Sequence, residues 1–138
     1  MVPQIVEDVI EACLVGPEPR PVLMGLRYDP ADPFALSLGF GANASLGLES
    51  SLSWTAAREL FGGGLRKPSG LGDLRVRPWA PGVVAVEFHG DEGCAVLVLS
   101  SRDLVHFLRR TYEVVAPGTE HHLLSWPDTV AGLVDEAG

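Results

Sequence analysis

Several kinds of protein are excluded by what this chain has little of. Its 138 residues include only two cysteines, Cys13 and Cys94, far apart and not in a CxxC pair. That leaves no disulfide framework and no zinc-ligand spacing, so two buried reduced thiols and no metal site are expected. The longest apolar run, Cys94 to Leu99, is far too short to cross a bilayer as a helix. The opening residues Met1 to Asp8 are acidic where a secretory signal needs basic residues and then an apolar stretch. A cytoplasmic setting without a membrane span is therefore expected. Lysine and arginine are missing from residues 1–19 and 113–138, and the formal net charge is −8. A surface of that average sign repels nucleic acid and anionic lipid.

What is present suffices for one domain over residues 1–138, because a 46% hydrophobic content can fill a core at this length. Its charge is uneven. Half of the basic side chains, Arg58, Arg66, Lys67, Arg75 and Arg77, fall between positions 58 and 77, opposed there only by Glu59 and Asp73. Such a cluster is ordinarily a solvated face, and its functional alternative is a partner-binding patch.

Alternation of apolar and polar residues is the main organising signal, since strand side chains point to opposite faces in turn. Val22, Met24, Leu26 and Tyr28 share one face of a strand that stops at Asp29-Pro30-Ala31-Asp32-Pro33, a turn made by two Asp-Pro pairs. Leu36, Leu38 and Phe40 start the next strand, Gly41-Ala42-Asn43 turns the chain, and Leu46, Leu48, Leu52 and Trp54 return. Thr55 is placed to cap a short helix that the run Gly62-Gly63-Gly64 should end. Leu74 and Val76 mark a further strand. Val84, Val86 and Phe88 then pair across Gly90-Asp91-Glu92-Gly93 with Cys94 to Leu99, whose apolar character predicts burial on both faces. Ser100 and Asp103 have capping-box spacing, and Leu104, Phe107, Leu108 and Tyr112 form a helical stripe behind them. Ser125, Pro127 and Asp128 announce a short terminal helix. For residues 5–14 the periodicity favours a helix.

Motifs for catalysis or cofactors are each broken at a required position. Gly39-Phe40-Gly41-Ala42-Asn43-Ala44 imitates a dinucleotide fingerprint, but a strand pattern follows where the pyrophosphate-binding helix should begin. Gly62 to Lys67 lacks the order of a phosphate loop and reads as a flexible loop. Ser45 lacks the first glycine of a nucleophile elbow. His121 and His122 are adjacent and cannot chelate one ion as an i, i+4 pair could. His89 lies near Asp91 and Glu92 with no nucleophile beside it, and His106 sits among apolar neighbours that suggest partial burial. No catalytic residue and no cofactor is expected.

Several segments, taken in order, resemble the SsgA-like family of actinobacterial sporulation and cell-division proteins. They are Leu26 to Ala35 (LRYDPADPFA), Trp54 to Leu60 (WTAAREL), Gly64 to Pro78 (GLRKPSGLGDLRVRP), Phe107 to Thr111 (FLRRT) and Pro117 to Glu120 (PGTE). The chain departs from the family pattern at Arg77, where a tryptophan is common, and at Gly62-Gly63. The resemblance implies an α+β fold: a strongly twisted antiparallel sheet of about seven strands with two to three helices. It also implies a bell-shaped trimer similar to the whirly-like single-stranded nucleic-acid-binding fold, and an N-terminal strand where periodicity favours a helix. It further implies a non-enzymatic regulator of sporulation septation, SsgB-like by first choice, acting at the septum on the tubulin-like division protein FtsZ together with SsgA-like partners. The candidate contact residues remain Arg58, Arg66, Lys67, Arg75 and Arg77. A second class, single-stranded nucleic-acid binding with Trp54 or Trp79 as stacking surfaces, is disfavoured by the net charge.

Overall fold

The computed structural model describes residues 4–40, 52–70, 72–90 and 93–123. Among the described residues there are seven strands: β1 (Val6–Leu14), β2 (Arg20–Tyr28), β3 (Ala35–Phe40), β4 (Leu52–Ala57), β5 (Leu74–Ala80), β6 (Val83–Gly90) and β7 (Gly93–Ser100). Helix α1 (Arg58–Gly64) joins β4 to β5, helix α2 (Ser101–Val114) follows β7, and a 3-10 turn covers Glu120–Leu123. The strands form one antiparallel sheet in the order β4-β3-β2-β1-β7-β6-β5.

The sheet is strongly curled. β3 and β6 are separated by three intervening strands, yet the Phe88 ring of β6 meets Phe40 of β3 edge-on at 5.1 Å between centroids. It also meets Trp54 of β4 at 5.1 Å. Into the curl point Met24, Leu26 and Tyr28, Leu36 and Leu38, Val84 and Val86, and Leu97 and Leu99, all buried. Burying a side chain of this kind contributes about 1.5–3 kcal/mol. Leu104, Phe107 and Leu108 of α2 join the same core, as the helical stripe predicts. The Ser100 hydroxyl accepts the Asp103 N–H at 3.2 Å, so the expected cap is in place.

The structure corrects several expectations. Residues 6–14 are a strand, as the family resemblance implied and against the periodicity. β1 lies inside the sheet between β2 and β7; Val6, Ile10 and Ala12 are buried on one face, while the apolar Val9 and Cys13 on the other face are only half-buried. Thr55 caps nothing: it belongs to β4 and pairs with Ser37, which commits its backbone to the sheet until Ala57. The glycine run is no loop but forms the last three residues of α1, which ends with Gly64. Its purpose is proximity. A Cβ on Gly64 would lie 2.3 Å from Val76 Cγ1, and one on Gly62 would lie 3.0 Å from the Tyr112 hydroxyl.

β7 is buried on one face only: Leu97 and Leu99 are buried, whereas on the opposite face Val96 and Val98 are half-buried and Cys94 is exposed. Neither thiol is buried, since Cys13 is half-buried and Cys94 exposed, and His106 is exposed as well. The turn at 41–43, the apolar positions Leu46 and Leu48, and the terminal helix at 125–134 lie outside the described residues. Among the described residues no helix is long and apolar enough to cross a membrane.

Candidate functional site

Arg58 stands where β4 becomes α1. Its N–H extends the β3–β4 ladder by donating to Phe34 O at 2.6 Å. That placement turns the side chain inward, where it is 1% exposed. A buried guanidinium needs acceptors for its fork of donors, and it finds them on α2 and just beyond. Nη1 donates to Val115 O at 2.8 Å and Thr111 O at 3.3 Å, and Nη2 donates to Glu120 Oε2 at 2.8 Å. Tyr28 and Tyr112 place their rings 4.7 and 5.0 Å from the guanidinium carbon, a favourable site for a desolvated cation.

Glu120 is equally committed. Its Oε1 accepts the Gly118 N–H at 2.7 Å. Burial alone would raise its carboxyl, but the bonds from Arg58, from its own N–H and from Gly118, together with the Arg58 charge, prevail and hold it below the ordinary range. Burial raises the Tyr28 and Tyr112 hydroxyls despite the nearby cation. Around Arg58 the sequence signatures meet: Tyr28 and Phe34 from the first, Arg58 from the second, Thr111 from the fourth, Gly118 and Glu120 from the last. The third reaches the same helix through Val76 against Gly64.

Beside this latch lies a cleft of about 630 Å³, bordered by Phe34, Glu59, Gly62, Arg66, Tyr112 and His121. Phe34 is 46% exposed there, and Arg66 and His121 are exposed. The latch itself has its charges and donors occupied internally; the rim offers an aromatic ring and a basic group to an outside partner.

The five basic candidates do not form one patch. Arg58 is withdrawn from the surface, 1% exposed and bonded to Val115 O and Glu120. Arg66 borders the cleft, and the adjacent Lys67 is exposed. Arg75 and Arg77 border a separate hollow of about 440 Å³ with Ser69 and Glu87. Arg77 is also engaged: Nε binds Glu87 Oε2, and its guanidinium carbon lies 4.8 Å from the Trp79 ring centre. Of the two proposed stacking surfaces, Trp54 is half-buried against Phe88 and Trp79 has a face covered by Arg77. Stacking of nucleobases gains no support from this geometry.

Residues 22–120 match the family model described as Streptomyces sporulation and cell division protein, SsgA. The chain belongs to the SsgA family. Among its relatives, the SsgA-family chain is 44% identical over 123 residues to the sporulation-specific cell division protein SsgB of Salinispora tropica, covering 86% of this chain and 85% of that protein. It is 44% identical over 120 residues to SsgB of Streptomyces coelicolor, with 85% of each covered. A solved structure from work relating mutations in SsgB to longitudinal cell division during sporulation of Streptomyces coelicolor superposes with a TM-score of 0.77. It is 37% identical, over 89% of this chain and 98% of that one. An SsgA-like sporulation-specific cell division protein from Thermobifida fusca gives 0.78 at 26% identity, over 100% and 98%.

Two groupings in this SsgA-family chain escape a reading of the sequence. The Arg58–Glu120 pair joins positions 62 residues apart, and no local spacing announces it. Glu87, His89 and Cys94 converge on one face of the β6–β7 hairpin, whereas proximity in sequence suggests Asp91 and Glu92 as the neighbours of His89. Period-two counting on β6, carried across the tight hairpin to Cys94, is the signal that finds the second grouping.

Proposed function

We propose that this chain is a non-enzymatic adaptor of sporulation septation, held in the cytoplasm at the septum, that assembles as a homotrimer and helps position FtsZ through protein contacts. The observation that carries the reading is the 44% identity to SsgB of Streptomyces coelicolor over 85% of both chains. The shape of the cleft supports it. Phe34 at its rim is an exposed aromatic of the kind that anchors interfaces, and Arg66 and Lys67 suit an acidic partner surface, where complementary charge speeds and orients the encounter.

Expression of this chain in a Streptomyces coelicolor strain lacking SsgB should restore sporulation septa; continued absence of septa would count against the role. Purified protein should co-sediment with FtsZ polymers at low salt, and failure to do so would remove the direct contact while leaving the septation role standing. Sedimentation equilibrium should give the mass of three 14.7 kDa chains; a monomer at micromolar concentration would remove the trimer.

A further inference from the structure

On the outward face of the β6–β7 hairpin three different ligand types meet. Glu87 and His89 are two apart on β6 and so project to the same side, and Cys94 is the register partner of His89 across the hairpin. Phe88, between the first two, points the other way into the core. Glu87 Oε1 lies 3.2 Å from His89 Nε2, and Cys94 Sγ lies 3.8 Å from the same nitrogen. All three ligand atoms fall within 4.8 Å of one another.

These separations are close to those a tetrahedral zinc ion imposes. With ordinary zinc–ligand bond lengths, the edges of the tetrahedron are about 3.4 Å between nitrogen and oxygen and about 3.6 Å between nitrogen and sulfur. Small side-chain rotations close the difference. The two oxygens of Glu87 are also divided: Arg77 Nε holds Oε2, which leaves Oε1 turned toward His89. A hydrogen-bonded carboxylate of this kind is the outer support that metal ligands commonly have. On binding, the Cys94 thiol would release its proton to solvent, and carboxylate and thiolate together would balance the two charges of a divalent ion.

We propose that Glu87, His89 and Cys94 form a three-ligand site for a borderline divalent transition ion of the zinc type, with one coordination position left open to solvent. The mixed oxygen, nitrogen and sulfur set favours zinc or cobalt over magnesium or calcium, which prefer oxygen alone. Binding would fasten the hairpin from outside, opposite the Phe88 contacts that hold it from within.

Cobalt is the probe. Adding Co2+ to the metal-free full-length protein should give a thiolate-to-cobalt absorption band in the near ultraviolet and tetrahedral bands in the visible, saturating at one equivalent. Zn2+ should then erase both. Cys94→Ser should abolish the near-ultraviolet band, Cys13→Ser should leave it intact, and Glu87→Gln and His89→Ala should each weaken binding about tenfold or more. Cys94 is exposed, so its replacement leaves the core untouched, and circular dichroism of each variant verifies folding. Absence of a thiolate band at stoichiometric cobalt, or its persistence in Cys94→Ser, would overturn the site.

Discussion

Two arginine–glutamate pairs in this molecule have the same chemistry and opposite circumstances. Arg58 and Glu120 meet in the interior, 2.8 Å apart, with the arginine side chain 1% and the glutamate side chain 12% exposed. Arg77 and Glu87 meet on the outer face of β5 and β6, where the arginine side chain is 38% exposed. The inner pair is bonded to the Thr111 and Val115 carbonyls, the Thr111 hydroxyl and the Gly118 N–H, so it ties the start of α1 to the end of α2. The outer pair spends one carboxylate oxygen and leaves the other facing His89. Desolvation makes the inner pair a structural joint, and exposure leaves the outer pair available for binding. A basic residue's contribution to a surface therefore cannot be counted until its burial is known.

The sharpest way to break the comparison is to remove each arginine. Arg58→Ala leaves Glu120 buried without its partner and should cost about 3–5 kcal/mol, read as a fall in the urea midpoint; a cost below that of Arg77→Ala would refute the joint. Gly64→Ala attacks the same joint from the far end of α1, where the new Cβ would meet Val76 at 2.3 Å. Overpacking of this sort costs about 1–3 kcal/mol, and thermal unfolding should register it.

Acid should separate the pairs more gently. Both carboxyls lie below the ordinary glutamate value of 4.5 when folded. Each pair's contribution is therefore complete above the unfolded value and is lost as the pH falls below it through the depressed folded value. Urea midpoints followed downward through that range should show a steep acid limb in the natural protein and a flatter one in Glu120→Gln. Arg77→Ala, at a part-exposed pair, should cost only about 0.2–1 kcal/mol. The smallest effect on stability, within about 0.5 kcal/mol, belongs to the double reversal Arg66→Glu and Lys67→Glu. Its consequence should instead be weaker co-sedimentation with FtsZ polymers, and unchanged binding would clear the cleft rim of a role.

Much of the fold was legible because alternation and capping are local. The β2 stripe of Met24, Leu26 and Tyr28, the β6–β7 hairpin and the Ser100 cap all follow from residues within a few positions of one another. Segment 5–14 misled the periodicity because apolar residues stand on both faces of the strand: Val6 and Ile10 are buried, Val9 and Cys13 on the opposite face are half-buried, and the four together imitate a helical stripe. The glycines of α1 misled because their cost inside a helix is a local quantity, whereas their benefit is set by Val76 and Tyr112 in distant elements. The basic segment was legible as composition but not as a site, since nothing near Arg58 in sequence reveals that Glu120 and two tyrosines enclose it.

The seam between β1 and β7 has a consequence for how the chain comes to be folded. Strands β1 to β4 pair with their sequence neighbours, as do β5 to β7. The two ladders are joined within the sheet by only three register pairs, from Ala12 with Leu99 to Leu14 with Leu97. Loop closure over so long a stretch is entropically costly and slow, so each ladder can assemble early while their union waits for β7. During synthesis β1 emerges with one edge open and keeps it open until β7 (Gly93–Ser100), six strands later, has followed. Until β7 arrives the β1 edge, like the outer edge of β4, is open to pairing with a stranger.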